Sequence, residues 1–265
     1  MCPGGIQMPP RSRTVRENGL KSVRNHYNEF LAPVYSWILG DFKNAYHANV
    51  EFFASLGLSS EHGDLAVDLG CGPGCQALPL AETGFRVVAI DFCQQLLDEL
   101  SERAGDLQIT TVCDDLTEFD KHIDEPADLI VCMGDTLVHL PDTASVDKCI
   151  DRVSSALKPG GMFIYSIRDY VSSEPEGADR FVPVRADDQQ IFTCFLEYRE
   201  DVVHVHDVLH IKEDGAWKMH ISDYLKLRLD TSEINHRLQA NGLDISQQMT
   251  EKGMIYVVAT KTVTA

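Results

Sequence analysis

From residue 64 to residue 168, short apolar runs alternate with stretches of helical rhythm. Asp64–Leu69 reads as a buried strand, and residues 85–90, 109–113, 128–133 and 162–167 repeat the pattern. Lys158-Pro159-Gly160-Gly161 supplies a helix stop and a turn ahead of the fifth run. Between the runs, apolar residues fall at i, i+3, i+4 and i+7. Cys93, Leu96, Leu97, Leu100 and Ala104 make one such face; Val146, Cys149, Ile150, Val153 and Leu157 make another. Alternating strand and helix predicts an α/β, doubly wound, parallel sheet with helices on both faces. A ligand is then expected beyond the C-terminal strand ends, where the strand order reverses.

After residue 180 the period changes to two. Runs at 181–185, 190–199, 202–212 and 216–229 alternate apolar and polar positions, broken at Glu200-Asp201 and Glu213-Asp214-Gly215. This predicts an antiparallel β insertion, residues 179–230, placed as a substrate cover after the fifth strand. A helix over 231–241 follows, with Thr231 or Ser232 as its cap and Asn241-Gly242 as its stop, and Leu243–Ser246 and Met254–Thr260 are the last strands. Residues 21–57 carry helical patches rich in aromatics and are expected to form an N-terminal lid. Residues 1–20, with Gly4-Gly5, Pro9-Pro10 and scattered Arg, read as a mobile tail. Residues 58–178 and 231–265 make up the ligand-binding domain.

Composition narrows the function classes. The formal net charge is −18, from 41 acidic and 23 basic residues. Such a field opposes phosphate backbones, so nucleic acid is excluded as a partner and a soluble small molecule expected. No apolar run is long enough to cross a membrane, and no secretion signal is visible, so a cytoplasmic location is expected. None of the eight cysteines forms a C-x-x-C pair, and they read as reduced, buried small hydrophobes. Cys71 and Cys75, beside a glycine loop, are expected to be partly exposed.

That loop carries the chemistry. Residues 67–75 read Val-Asp-Leu-Gly-Cys-Gly-Pro-Gly-Cys. Glycines at 70, 72 and 74 let the backbone turn and approach a ligand without Cβ interference. The helix that follows points free N–H groups into the same crevice. Asp91 ends the second strand, 16 residues beyond Cys75, where a carboxylate can accept two ribose hydroxyls. Dinucleotide enzymes prefer G-x-G-x-x-G, whereas here the spacing is Gly70-x-Gly72-x-Gly74 behind Asp68.

The pattern D-x-G-x-G-x-G, with Asp91 after the second strand, resembles motif I of the class I S-adenosylmethionine-dependent methyltransferases. The resemblance covers residues 64–168 and extends to 231–260. It implies a seven-stranded, mainly parallel Rossmann-like sheet and S-adenosylmethionine as cofactor. By it, Asp68, Gly70, Cys71 and Gly72 cradle the methionine part, Asp91 holds the ribose, and Phe92 lies beside the adenine. Asp115 and Leu116, with Asp114 as alternative, meet the adenine amino group, and Cys132 and Met133 line the sulfonium. Helix N-capping is the other reading of Asp91 and Asp115. Gly134-Asp135-Thr136-Leu137-Val138-His139-Leu140 is similar to a G-N-S-x-x-H-L stretch of glycine N-methyltransferase-like enzymes, although Asp135 replaces the amide. The expected reaction is methyl transfer to a small metabolite, at nitrogen of an amino acid or amine, with oxygen, sulfur or carbon as alternatives. An NAD(P)-dependent oxidoreductase and a non-catalytic cofactor-binding subunit are the remaining readings.

Catalytic candidates are His139 as a base, Arg168 as an anchor for an acceptor carboxylate, and Tyr170 beside it at the end of the fifth strand. Tyr27 and Tyr35, with Trp37, are candidates for an aromatic lid over the sulfonium. His204, His206 and His210 share one face of an alternating strand, with no acid on that face in the same run. No metal site is expected.

Overall fold

The computed structural model describes residues 22–40 and 42–263; the tail predicted over 1–20 lies outside them. Two sheets organise the chain. The first has seven strands: β1 Leu65–Leu69, β2 Arg86–Asp91, β3 Ile109–Cys113, β4 Ala127–Cys132, β5 Leu157–Arg168, β10 Leu243–Glu251 and β11 Met254–Lys261. Its order is β3-β2-β1-β4-β5-β11-β10, with β11 antiparallel to both neighbours and β1 to β5 parallel. The second is antiparallel, in the order β6 Phe181–Ala186, β7 Gln190–Tyr198, β8 Val202–Glu213 and β9 Ala216–Leu227. The doubly wound, mainly parallel sheet and the antiparallel addition after the fifth strand are those expected from the period-3.6 and period-2 patterns.

Strand β1 is buried at all five positions, which is why it reads as an unbroken apolar run. It pairs β2 on one side and β4 on the other, so the order reverses at its C-terminal end. The crevice opens there. Helices α4 Ala77–Glu82, α5 Gln94–Ala104 and α6 Thr143–Ala156 cover the sheet, and α7 Thr231–Ala240 precedes β10. At the N-terminal side, α1 Val23–His26, a π-turn Tyr27–Leu31, α2 Ala32–Ile38 and α3 Phe42–Ser55 bring their aromatics over the crevice and the sheet edge.

Three boundaries differ from the sequence-based expectation. Strand β5 begins at Leu157, because Leu157 pairs with Ala127 and the Pro-Gly-Gly stretch forms an irregularity inside the strand. Strand β10 runs on to Glu251; its polar half, Gln247 to Glu251, is a largely exposed edge whose partner residues lie on β11. Helix α7 is capped by Asp230, whose carboxylate accepts from the Ser232 N–H, rather than by Thr231 or Ser232. The seven described cysteines are unpaired, and Cys71 and Cys75 are buried instead of partly exposed.

Candidate functional site

The crevice is a cavity of about 820 Å³ between the glycine loop, the ends of β2 and β4, the N-terminal helices and the start of β8. That volume lies within the range of small-molecule and cofactor sites.

The loop between β1 and α4 is shaped by its own hydrogen bonds. The Gly70 and Cys71 N–H groups donate to the Ile90 carbonyl at 2.8 and 3.0 Å, which fastens the loop to β2. The three glycines have positive φ and different surroundings. A Cβ on Gly70 collides with Thr136, and one on Gly74 with Leu100, so those two glycines serve internal packing. A Cβ on Gly72 meets only Tyr35, at 3.8 Å, and projects into the cavity. Of the three, Gly72 is the one that keeps the crevice clear.

Asp91 sits on the cavity wall. Its Oδ2 accepts from the Gly72 N–H at 2.9 Å and its Oδ1 from the Cys93 N–H at 2.8 Å. A carboxylate has about four lone-pair positions, so acceptor capacity remains for a ligand. Burial raises its pKa, and the backbone donors and Arg24 oppose that rise. Asp68 lies one layer below, under the loop and outside the wall. Its Oδ2 is buried with no hydrogen-bond partner, and burial together with Asp91 pushes its pKa up to about 8.

Aromatic side chains close the opposite side. The Tyr27 ring lies 5.8 Å from Tyr35, and edge-on 5.4 Å from Phe92 and 5.6 Å from His139. Arg24 stands over the Phe92 ring at 5.3 Å. The Tyr27 hydroxyl and His139 Nε2 are 3.5 Å apart, while His139 Nδ1 is buried without a partner. Burial, helped by the Lys226 charge, lowers the His139 pKa to about 3, so the ring is neutral at physiological pH.

Thus Tyr27, Tyr35, Gly70, Cys71, Gly72, Asp91, Phe92, Asp115, Leu116, Met133 and His139 converge on one cavity. Asp115 also caps the turn after β3, its Oδ1 accepting from the Thr117 N–H and hydroxyl. Five expected residues lie elsewhere. Asp68 is below the loop. Asp114 points outward and pairs with His122 at 2.7 Å. Cys132 faces the core, because alternation on β4 turns Met133 to the cavity and Cys132 away from it. The Arg168 side chain, at the very end of β5, is exposed and off the wall; Ser166, two residues earlier on the same strand face, lines it. Tyr170 is buried behind it, its hydroxyl donating to Asp135 Oδ2 at 2.9 Å.

Two buried polar clusters stand behind the wall. Lys226 Nζ donates to Asp135 Oδ2 at 2.6 Å and to the Tyr170 hydroxyl at 3.1 Å. Burial works against the lysine's charge, but Asp135 and the neighbouring tyrosines outweigh it and raise its pKa. His26 Nδ1 lies 2.7 Å from Ser222 Oγ and its Nε2 3.0 Å from Asp207 Oδ2, joining α1 to the insertion. The sequence analysis missed Lys226 and Asp207. Their signal was a charge at an inward position of an alternating strand: Asp207 shares parity with Val203, Val205 and Leu209, and Lys226 pairs with Val203.

Residues 66–161 match the family model described as a methyltransferase domain. Glycine N-methyltransferase of Rattus norvegicus is 30% identical over 132 residues, covering 43% of this chain and 44% of that protein. An O-methyltransferase of ubiquinone biosynthesis from Hydrogenovibrio crunogenus is 30% identical over 164 residues, covering 59% of this chain and 65% of its own length. The chain therefore matches these curated relatives over only part of their length. An S-adenosylmethionine-dependent methyltransferase of Clostridium acetobutylicum superimposes with a TM-score of 0.69 over 90% of this chain and 100% of its own, at 22% identity.

Proposed function

We propose that this chain, which carries a class I S-adenosylmethionine-dependent methyltransferase domain, methylates a small acceptor at nitrogen of an amino acid or amine. The observation that carries the reading is the Asp91 carboxylate, held by the Gly72 and Cys93 N–H groups, sharing a cavity wall with Phe92 and the glycine loop.

The residues fit such a cofactor. Asp91 retains lone pairs for two ribose hydroxyls, and Phe92, Leu116 and Leu96 offer an apolar slot for a purine, with Asp115 at its rim. Gly72 admits the methionine part past the loop. Asp68, one layer beneath and held protonated by burial, keeps an unpartnered carboxyl oxygen under the loop. When bound, the cofactor supplies a methyl on a positively charged sulfur. Tyr27 and Tyr35 present ring faces and edges to that end of the cavity, and a cation gains from an aromatic face.

The chain's own contribution is then mainly positioning. Holding acceptor and methyl in line accounts for roughly 7–11 kcal/mol of barrier reduction. A base adds about 10²–10⁴-fold, and is most effective when its pKa lies near the working pH. With a pKa near 3, His139 is a neutral hydrogen-bonding group that orients an acceptor, and a poor proton sink. Lys226, Asp135 and Tyr170 fix β9 and the turn after β4 behind it. Met249, Glu251 and Met254 also line the cavity. The rat relative's name points to nitrogen as the acceptor atom.

The test is transfer of a labelled methyl from S-adenosylmethionine into a metabolite extract, with products separated by size. Label in small amines or amino acids is the expected result. Label confined to macromolecules, or to oxygen-methylated products, overturns the acceptor class.

A further inference from the structure

We propose that Glu197, His204 and His206 form a divalent transition-metal site of the zinc type on the substrate cover. The three come together through strand pairing. His204 and His206 share one face of β8, and Glu197 on β7 pairs in register with His204. The acid missing from the histidines' own strand is supplied by the neighbouring one. The opposite face of β8, with Val203, Val205 and Asp207, packs on the core and on His26. None of the cluster's residues lines the crevice.

The spacing suits a metal. Glu197 Oε2 lies 3.3 Å from His204 Nδ1 and 3.6 Å from His206 Nε2, and the three ligand atoms fall within 4.8 Å of one another. Ligands held about 2.0–2.1 Å from a tetrahedral ion stand roughly 3.3 Å apart. Two imidazoles and one carboxylate are a donor set that zinc accepts, leaving a fourth position for solvent.

The hydrogen bonds around the cluster prepare one ligand. His204 Nε2 and Asp223 Oδ2 are 2.7 Å apart, so the carboxylate accepts from the Nε2–H and leaves the Nδ1 lone pair free. An outer carboxylate that fixes the tautomer in this way is the usual companion of a metal-bound histidine. That lone pair is aimed at a cation already. Arg199 Nη2 lies 2.8 Å from His204 Nδ1 and 3.1 Å from Glu197 Oε2, so the guanidinium stands where an ion would sit. The arginine is about half exposed and free to swing outward, and exposed ion pairs are weak. A bound ion joins β7 to β8 beside the turn that leads to Val202, the first β8 residue on the cavity wall. It thereby braces the cover.

The experiment uses the full chain without a purification tag, stripped with a chelator and then titrated with zinc against a chromophoric competitor. One equivalent is expected to bind in the micromolar range or tighter. His206→Gln and Glu197→Gln, both on exposed or half-exposed side chains, each weaken binding at least about tenfold, the loss expected when a contributor to a metal site is removed. Arg199→Ala binds zinc at least as tightly as the parent, because a competing cation is gone. Cobalt(II) in place of zinc gives visible ligand-field bands of a nitrogen–oxygen site, without the near-ultraviolet thiolate band that a cysteine site produces. No equivalent bound at micromolar zinc, an affinity unchanged in either Gln variant, an Arg199→Ala chain that binds more weakly, or a cobalt spectrum with thiolate absorption each overturns the assignment.

Discussion

His26, on the first helix, and Asp207, on an inner strand of the insertion, are joined across 3.0 Å with both side chains buried. Ser222 holds the other ring nitrogen, and Tyr224 stacks on the ring at 4.3 Å. Through this contact the N-terminal helices and the antiparallel cover are braced against one another above the cavity. Replacing His26 by Ala leaves a buried carboxylate and a buried hydroxyl without their partner. The expected cost is roughly 1–3 kcal/mol in urea unfolding, the penalty for stranding buried polar groups. A double-mutant cycle with Asp207→Ala should return a coupling of about 0.5–3 kcal/mol. Additive single effects would show that the contact carries no energy.

Asp91→Ala is expected to weaken S-adenosylmethionine binding by roughly 1–3 kcal/mol, the range for losing a charged hydrogen-bond partner. Calorimetric titration of the folded variant checks this. Part of the loss comes from the loop, since Gly72 gives up its acceptor. Unchanged affinity would remove Asp91 from the cofactor site.

The two glycines of the loop should fail in different ways. Gly72→Val places a side chain in the cavity beside Tyr35 and is expected to abolish cofactor binding, with a loss of stability set by backbone strain at its positive φ alone. Gly70→Val drives a side chain into Thr136 and is expected to lower the melting temperature itself. Thermal unfolding and calorimetry on both variants separate the outcomes; equal unfolding by the two would mean that neither position is set by the ligand.

Asp68 and His139 make opposite contributions to stability against pH. Asp68, raised from an ordinary carboxylate value to about 8, binds a proton more tightly folded than unfolded, so its term falls as pH rises toward 8. His139, lowered from 6.5 to about 3, is protonated more readily when unfolded, so its term rises with pH between those values. Below about pH 6.5 the two slopes oppose each other. From there to pH 8 only the Asp68 slope remains, at about 1.4 kcal/mol per unit for one proton at most. Asp68→Asn should flatten stability over that upper window when urea midpoints are measured across pH. An unchanged slope in the variant would contradict the buried, protonated Asp68.

Arg168→Lys is expected to leave the acceptor KM unchanged, because the side chain is exposed and Ser166 takes the wall position. Steady-state kinetics with the acceptor identified by methyl labelling provide the check. A large rise in KM would bring Arg168 back as a substrate anchor.

By itself the sequence determined the layering and the crevice. A five-residue run with no polar break except Asp68, closed by a glycine turn, reads as a strand covered on both faces, and a period of two after residue 180 as a half-exposed sheet. The glycine spacing and the acid at the end of β2 marked the ligand end of the sheet, because those features act through backbone conformation within a few residues of themselves. Tertiary structure decided the contacts that depend on which strands become neighbours. Nothing local to His204 and His206 indicates that Glu197 stands beside them; the β7–β8 register brings it there. Nothing local to His26 indicates Asp207, 181 residues away, nor does anything near Asp135 indicate Lys226. The wall position of Met133 rather than Cys132 follows from the face the chain turns to the cavity at the end of β4, and that of Ser166 rather than Arg168 from how far along β5 the cavity reaches. At Met133 a one-residue difference in phase decides the face, and packing against the neighbouring layer sets the phase.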